Sequence, residues 1–235
     1  MQLHNATVFI TGANRGIGLA FAREALARGA RKVYAGARNP ASVTLPGVEP
    51  IALDVTRPEQ VAAAARHASD VTLVINNAGI ASLGGFMVDG SIESARAHME
   101  TNYFGVLRVS QAFAPVLAAH GGGALLNVLS VASWINAPLL AVYGSSKSAA
   151  WALTNGLRND LRAQGTQVLG LHMGFVDTDL TRGLEMPKST PEAIVGRAFD
   201  ALEAGAEEVL ADEFTRQVKL GLSIEPGVYL RDPRA

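Results

Sequence analysis

The sequence predicts an α/β fold whose central strands are buried on both faces, and three features carry that reading. Hydrophobic residues make up 49% of the 235 positions and charged residues only 17%, a balance suited to a sheet covered by helices on both sides. Short apolar runs alternate with Ala- and Leu-rich stretches of helical length along nearly the whole chain. The first apolar run passes through a glycine turn straight into such a helical stretch. The length suffices for one large domain with a sizeable core. No internal repeat, low-complexity tract or linker interrupts it, so residues 1–235 are expected to form a single domain.

Ala6 to Thr11 is the first candidate strand. The turn Thr11-Gly12-Ala13-Asn14-Arg15-Gly16-Ile17-Gly18 follows, then an Ala- and Leu-rich helix that stops at Gly29. Gly12 permits a tight turn. Gly16 and Gly18 let a pyrophosphate and the strand approach the helix start, where free N–H groups point at an anion. The spacing is G-x-x-x-G-x-G, not the G-x-G-x-x-G of the usual dinucleotide fingerprint. Lys32 to Gly36 is the second strand. A dinucleotide site normally offers an acid near this end for the ribose 2′-hydroxyl. Here the chain reads Tyr34-Ala35-Gly36-Ala37-Arg38. Arg38, with Arg15 in the glycine loop, suits a 2′-phosphate instead, unless both are solvated surface arginines.

Glu49 to Leu53 is the third strand, ending at Asp54-Val55; Asp54 either touches an adenine ring or closes the strand end. Thr56-Arg57-Pro58-Glu59 has capping-box spacing with proline in the first turn, which predicts a helix to about His67. Val71 to Ile75 is the fourth strand. Asn76-Asn77-Ala78-Gly79 at its end brings two side-chain amides able to fasten neighbouring backbone. Ser91 to His120 reads as one long helix kinked at Pro115, with Asn102 inside it and in need of partners once buried. Gly123 to Leu129 is the fifth strand, closing at Ser130. A helix from Tyr143 to about Gln164 follows, then a sixth strand from Thr166 to Met173 that ends in Gly174-Phe175-Val176-Asp177-Thr178. Ser189-Thr190-Pro191-Glu192 starts a helix to about Ala204. A short strand, Glu207 to Leu210, and a helix near Glu213 to Leu222 complete the order.

Tyr143 and Lys147 lie four apart in a helical segment, so both side chains can emerge on one face. Such a pair is also common as plain helix surface. An ammonium one turn away favours the phenolate and lowers the phenol's usual pKa of about 10. A lowered tyrosine can give a proton to a carbonyl or take one from an alcohol. Ser130 lies thirteen residues upstream.

Composition narrows the partners. Lys and Arg number 20 and Asp and Glu 21, a net charge of −1 with no basic stripe, so nucleic acid is not expected. No cysteine is present, which excludes disulfides, thiolate catalysis and Cys-ligated zinc and fits a cytoplasmic protein. His4, His67, His98, His120 and His172 have no metal-ligand spacing. The start, Met1 to Asn5, lacks a basic segment followed by an apolar one, and no apolar run reaches the ~18 residues of a membrane span. Neither a signal peptide nor a membrane segment is expected.

From Thr7 to about Leu222 the chain resembles the short-chain dehydrogenase/reductase family. The residues that carry the resemblance are Thr11-Gly12-x-x-x-Gly16-x-Gly18, Asn76-Asn77-Ala78-Gly79, Asn102, Ser130 and Tyr143-x-x-x-Lys147. The resemblance implies a doubly wound, Rossmann-type parallel sheet of seven strands in the order 3-2-1-4-5-6-7, helices on both faces, and a nicotinamide cofactor at the strands' carboxyl ends. It makes Tyr143 the general acid/base and Lys147 the group that depresses its pKa and holds the nicotinamide ribose. Ser130 would hydrogen-bond the substrate oxygen, and Asn102 would hold a water in a proton relay. It places the cofactor against Gly12, Asn14, Arg15, Gly16, Ile17, Gly18, Arg38, Asp54, Val55, Asn77, Ala78, Gly79, Gly174, Val176 and Thr178, besides Tyr143 and Lys147. NADP(H) is expected in preference to NAD(H), with a small carbonyl or alcohol as substrate and a homodimer or homotetramer as the assembly. An NAD-dependent alcohol dehydrogenase, or a nucleotide-sensing protein without catalysis, are the other readings. Met173-Gly174 departs from the family's Pro-Gly. Leu180, Leu184 and Met186, with Trp134, Pro138 and Phe175, form either an apolar pocket or ordinary cover.

Overall fold

Seven parallel strands form one sheet in the computed structural model, which describes residues 1–231. They are β1 (Thr7–Thr11), β2 (Lys32–Ala37), β3 (Glu49–Ala52), β4 (Leu73–Asn76), β5 (Ala124–Val128), β6 (Gln167–His172) and β7 (Glu208–Leu210). Their order is β3-β2-β1-β4-β5-β6-β7, as the family resemblance implied. The helices are α1 (Gly16–Ala27), α2 (Pro58–His67), α3 (Ser91–Met99), α4 (Val106–Ala119), α5 (Ala141–Asp160), α6 (Pro191–Glu203) and α7 (Glu213–Gly221).

Successive strand residues point to opposite faces, and the two faces build two cores. Val8, Ile10, Val33, Ala35, Leu73, Ile75, Leu126 and Leu169 join Phe21 of α1 and Ile194, Val195, Phe199 and Leu202 of α6. Phe21 and Phe199 meet edge to face at 5.3 Å. The alternate residues Phe9, Tyr34, Val74, Leu125 and Val168 join Val61 of α2, Val109, Phe113 and Leu117 of α4, and Leu157 of α5. Each fully buried Phe, Leu or Val contributes about 1.5–3 kcal/mol, and the burial of both sheet faces explains the apolar composition.

Three local expectations are corrected. Thr56 does not cap α2: its hydroxyl donates to Asp54 at 2.7 Å and no side chain caps that helix, whose N-cap is Arg57. The Asp54 carboxylate competes for the Thr56 hydroxyl two residues away and wins. The run from Ser91 to Ala119 is not one uniform helix: a π-helical stretch, Glu100–Gly105, separates α3 from α4, while Pro115 lies within α4. Gly105 in that stretch lets the helix approach Val55, where a Cβ would stand 2.7 Å from the valine methyl. Finally, α5 begins at Ala141, two residues ahead of Tyr143.

Candidate active site

The order of the strands reverses direction between β1 and β4, which is where an open α/β sheet offers a ligand crevice at its strands' carboxyl ends. The glycine turn lies on one side of it. Gly12 and Gly16 have φ of +67° and +54°, the left-handed region that side chains rarely adopt. Gly18 is fixed by contact: a Cβ there would stand 2.1 Å from the Gly12 carbonyl oxygen and 2.6 Å from Asn77 Nδ2. Helix α1 has no side-chain cap and no acid in its first turn, so its first N–H groups face the crevice as an anion site.

Asn77 fastens that turn. Its amide donates to the carbonyls of Thr11 at 3.0 Å and Gly12 at 3.1 Å. Thr11 Oγ1 in return accepts from the backbone N–H of Asn77 at 3.0 Å and of Ala78 at 2.9 Å. Asn76 does something else: it donates to Ser110 Oγ and to Asn127 Oδ1, and Asn127 donates to Thr154 Oγ1 at 3.0 Å. These four buried polar side chains tie α4, β4, β5 and α5 together beneath the crevice.

On the far side of the turn Arg38 is exposed beyond β2, and Asp54 and Val55 follow β3. Burial pushes the Asp54 carboxyl up, but the Thr56 amide and hydroxyl and the charges of Arg38 and Arg57 outweigh it, and the net direction is down. Asp54 therefore does help close the strand end, through Thr56. Arg15 keeps 66% of its side-chain surface and pairs with Asp179 at 3.4 Å. Asn14 is half-buried in the turn, Ile17 packs on the core, and Thr178 lies over Gly16. Val176 is itself buried in the core, and its carbonyl accepts from the Thr181 hydroxyl.

Tyr143, Lys147 and Ser130 come together where β5 ends. The Lys147 ammonium is buried, donates to the Val128 carbonyl at 2.8 Å and lies 5.8 Å from the centre of the Tyr143 ring. Gly79 borders it, 3.8 Å from Nζ to the place of a Cβ. Tyr143 is half-buried. Burial pushes the phenol up, to about 12, against the pull of a hydrogen bond with the Ser130 hydroxyl. Burial pushes the Lys147 ammonium down, to about 8. In the protein alone the phenol is therefore raised, not lowered as expected: Lys147 is not among the groups that act on it, and its ammonium donates to Val128.

Asn102 is tied into the protein: its amide oxygen accepts from Ile80 N and its amide nitrogen donates to Ile80 O and Ser146 Oγ, each at 2.9 Å. Both amide hydrogens are used, and the oxygen keeps one lone pair. Trp134 stacks on His172 at 4.0 Å and lies under the Lys219 ammonium. Leu180 and Met186 are exposed, and Phe175 and Leu184 are half-buried.

Four site residues escape sequence reasoning. Ser146 holds Asn102, and Asp212 accepts the Gly174 N–H at 2.7 Å while capping α7 through Thr215 N. His172 holds the Ser130 carbonyl at 3.2 Å, and His98 packs edge-on against the Tyr143 ring at 6.5 Å. No short spacing links them to their partners; only the aspartate's position before a helix offers a sequence signal.

Residues 6–188 match the short chain dehydrogenase family. The chain belongs to the short-chain dehydrogenase/reductase family. It is 32% identical over 223 residues to 1-deoxy-11-beta-hydroxypentalenate dehydrogenase of Streptomyces exfoliatus, covering 86% of this chain and 81% of that protein. It is 35% identical over 182 residues to the oxidoreductase BOA17 of Botryotinia fuckeliana (strain B05.10), covering 73% of this chain and 66%, just under two thirds, of that one. A short chain dehydrogenase from Burkholderia cenocepacia J2315, solved in complex with NADP, superposes with a TM-score of 0.92 at 38% identity over 96% of each chain.

Proposed function

We propose that the protein is an NADP(H)-dependent oxidoreductase that interconverts a carbonyl and a primary or secondary alcohol, with Tyr143 as general acid/base. The observation that carries this is the meeting of Tyr143, Lys147 and Ser130 beside a glycine turn at the uncapped start of α1, in which Gly12 and Gly16 hold left-handed backbone and Gly18 a contact that admits no side chain. A nicotinamide dinucleotide bound there supplies or takes up the hydride. The glycine turn and Thr178 hold its phosphates, and Lys147 its ribose hydroxyls. Ser130 donates a hydrogen bond to the substrate oxygen and fixes it within reach of Tyr143. Because burial keeps the phenol protonated at neutral pH, Tyr143 is set to give its proton to the nascent alkoxide in the direction of reduction. Both Asn102 amide hydrogens are spent on Ile80 and Ser146, so Asn102 would hold a water in a relay to Lys147 as an acceptor.

The choice of NADP(H) rests on Arg15 and Arg38, both exposed at the ribose end of the crevice, with no acid after β2 to repel a 2′-phosphate. The NADP-bound relative at 38% identity supports the same choice. Leu180, Leu184, Met186 and Phe175 give the substrate side an apolar character. Residues 1–235 act as one domain, and the functional unit is a homodimer or homotetramer. Among the described residues no helix is long and apolar enough to cross a membrane. A panel of aldehydes, ketones and alcohols followed by nicotinamide absorbance tests the activity: turnover of at least one compound is expected, and none with either cofactor overturns it.

A further inference from the structure

The segment after β4, residues 80–84, runs as a strap from the end of β4 to the start of α5, and every second residue of it is held. Ile80 is gripped at both its N–H and its carbonyl by Asn102. Gly84 donates to the Leu139 carbonyl at 2.9 Å and bridges to Leu140, the residue that leads into α5 and so to Tyr143. Between these two anchors the Ser82 N–H donates to Nε2 of His98 at 3.2 Å. His98 is buried, and its Nδ1 stands 2.7 Å from the Ser94 carbonyl one turn back. The same ring meets the Tyr143 ring edge to face at 6.5 Å.

These partners fix the tautomer. The Ser94 carbonyl only accepts, so Nδ1 carries the proton; the Ser82 N–H only donates, so Nε2 presents its lone pair. We propose that His98, with its proton on Nδ1, is a positioning residue: it latches the middle of the 80–84 strap onto α3 and braces the Tyr143 ring edge to face. The groups against the ring are Ser82, Ser94 and Tyr143, so both ring nitrogens are spent on holding the strap to α3.

The proposal rests on the reading of Tyr143 only for its effect on turnover, so its test uses a readout that does not need activity. Hydrogen–deuterium exchange of peptides covering residues 80–84 is compared at one pH in wild type, His98→Gln and His98→Leu. A glutamine amide can keep both an acceptor for the Ser82 N–H and a donor for the Ser94 carbonyl. His98→Leu is expected to exchange about tenfold faster than wild type, the scale of one lost hydrogen bond, and His98→Gln within a few-fold of wild type. Equal protection in wild type and His98→Leu, or exchange in His98→Gln about tenfold faster than in wild type, overturns the latch; the second comparison stands even where His98→Leu does not fold. The expected exchange pattern in a protein that reduces nothing on the panel keeps the latch and removes the oxidoreductase reading.

Discussion

The Asn77 side chain donates to the Gly12 carbonyl at 3.1 Å, and through that bond the end of β4 holds the glycine turn at the end of β1. The same amide nitrogen and the same carbonyl are what a side chain at position 18 would strike. Gly18→Ala therefore cannot be absorbed by a rotamer change; the turn or α1 must move. Loss of cofactor binding is expected, with destabilisation of at least about 1–3 kcal/mol, the range for overpacking. Nicotinamide fluorescence titration and urea unfolding check it: unaltered affinity and stability would show that the turn is not held as described. Asn77→Ala should act in the same direction by freeing the Thr11 and Gly12 carbonyls, at about 1–3 kcal/mol.

Acid stability should depend on His172. Burial holds its imidazole down, to about 3 from 6.5, against the Ser130 carbonyl that pulls it up, with Lys219, Lys147 and Arg158 adding to the burial. The folded value is the lower one, so between these limits the unfolded chain binds a proton that the native protein refuses. Stability from this group is complete above about pH 6.5 and is lost as pH falls towards 3. From pH 6.5 to 5 the loss is about 2 kcal/mol. Urea unfolding at the two pH values should show a clearly flatter dependence in His172→Gln; an unchanged slope would exclude His172 as the source.

The local half of the site was legible and the long-range half was not. Strand, glycine turn and α1 are contiguous, and Gly12, Gly16 and Gly18 each answer a constraint within a few residues. Tyr143 and Lys147 share a helix face through the helical period alone. By contrast, the bond from Asn77 to Gly12 spans 65 residues and that from Asn102 to Ser146 spans 44, and nothing in either neighbourhood points to the other. The π stretch at Asn102 meets Val55 and Ile80, which are distant in sequence, and no local pattern announces it. Thr56 was misread because a capping-box spacing carries no information about the aspartate two residues upstream. The direction of the Tyr143 shift was missed because spacing gives the lysine's proximity and not the depth of burial.

Cofactor preference should respond to the charge around Arg15. Asp179 pairs with both Arg15 and Arg182, so it competes with a 2′-phosphate for the Arg15 guanidinium. A charge-assisted hydrogen bond contributes roughly 1.5–3 kcal/mol, reduced at exposed positions by salt. Arg38→Ala should lower the ratio of kcat/KM for NADPH over NADH about tenfold or more, while Asp179→Asn should raise it several-fold. Ratios unchanged in both variants would place the preference elsewhere.

Assembly should follow the apolar surface of the α3–α4 run. Ile92 is 63% exposed and Phe104 42%, and a groove of about 720 Å³ lies between them, lined also by Ala95, Ala97 and Met99. Covering this face with a second copy removes it from water. Light scattering at micromolar concentration should give a dimer or larger, and Ile92→Glu with Phe104→Glu should shift it towards monomer. A wild-type monomer would contradict this.

The most direct measurement is single-turnover reduction by Tyr143→Phe on a carbonyl compound that the wild type accepts, alongside its cofactor affinity. The substitution removes one hydroxyl and leaves the glycine turn, Lys147 and Ser130 in place. The account predicts a rate about 10²–10⁴-fold lower with cofactor affinity within about twofold of wild type. A rate within a few-fold of wild type would contradict the assignment of Tyr143 as the proton donor.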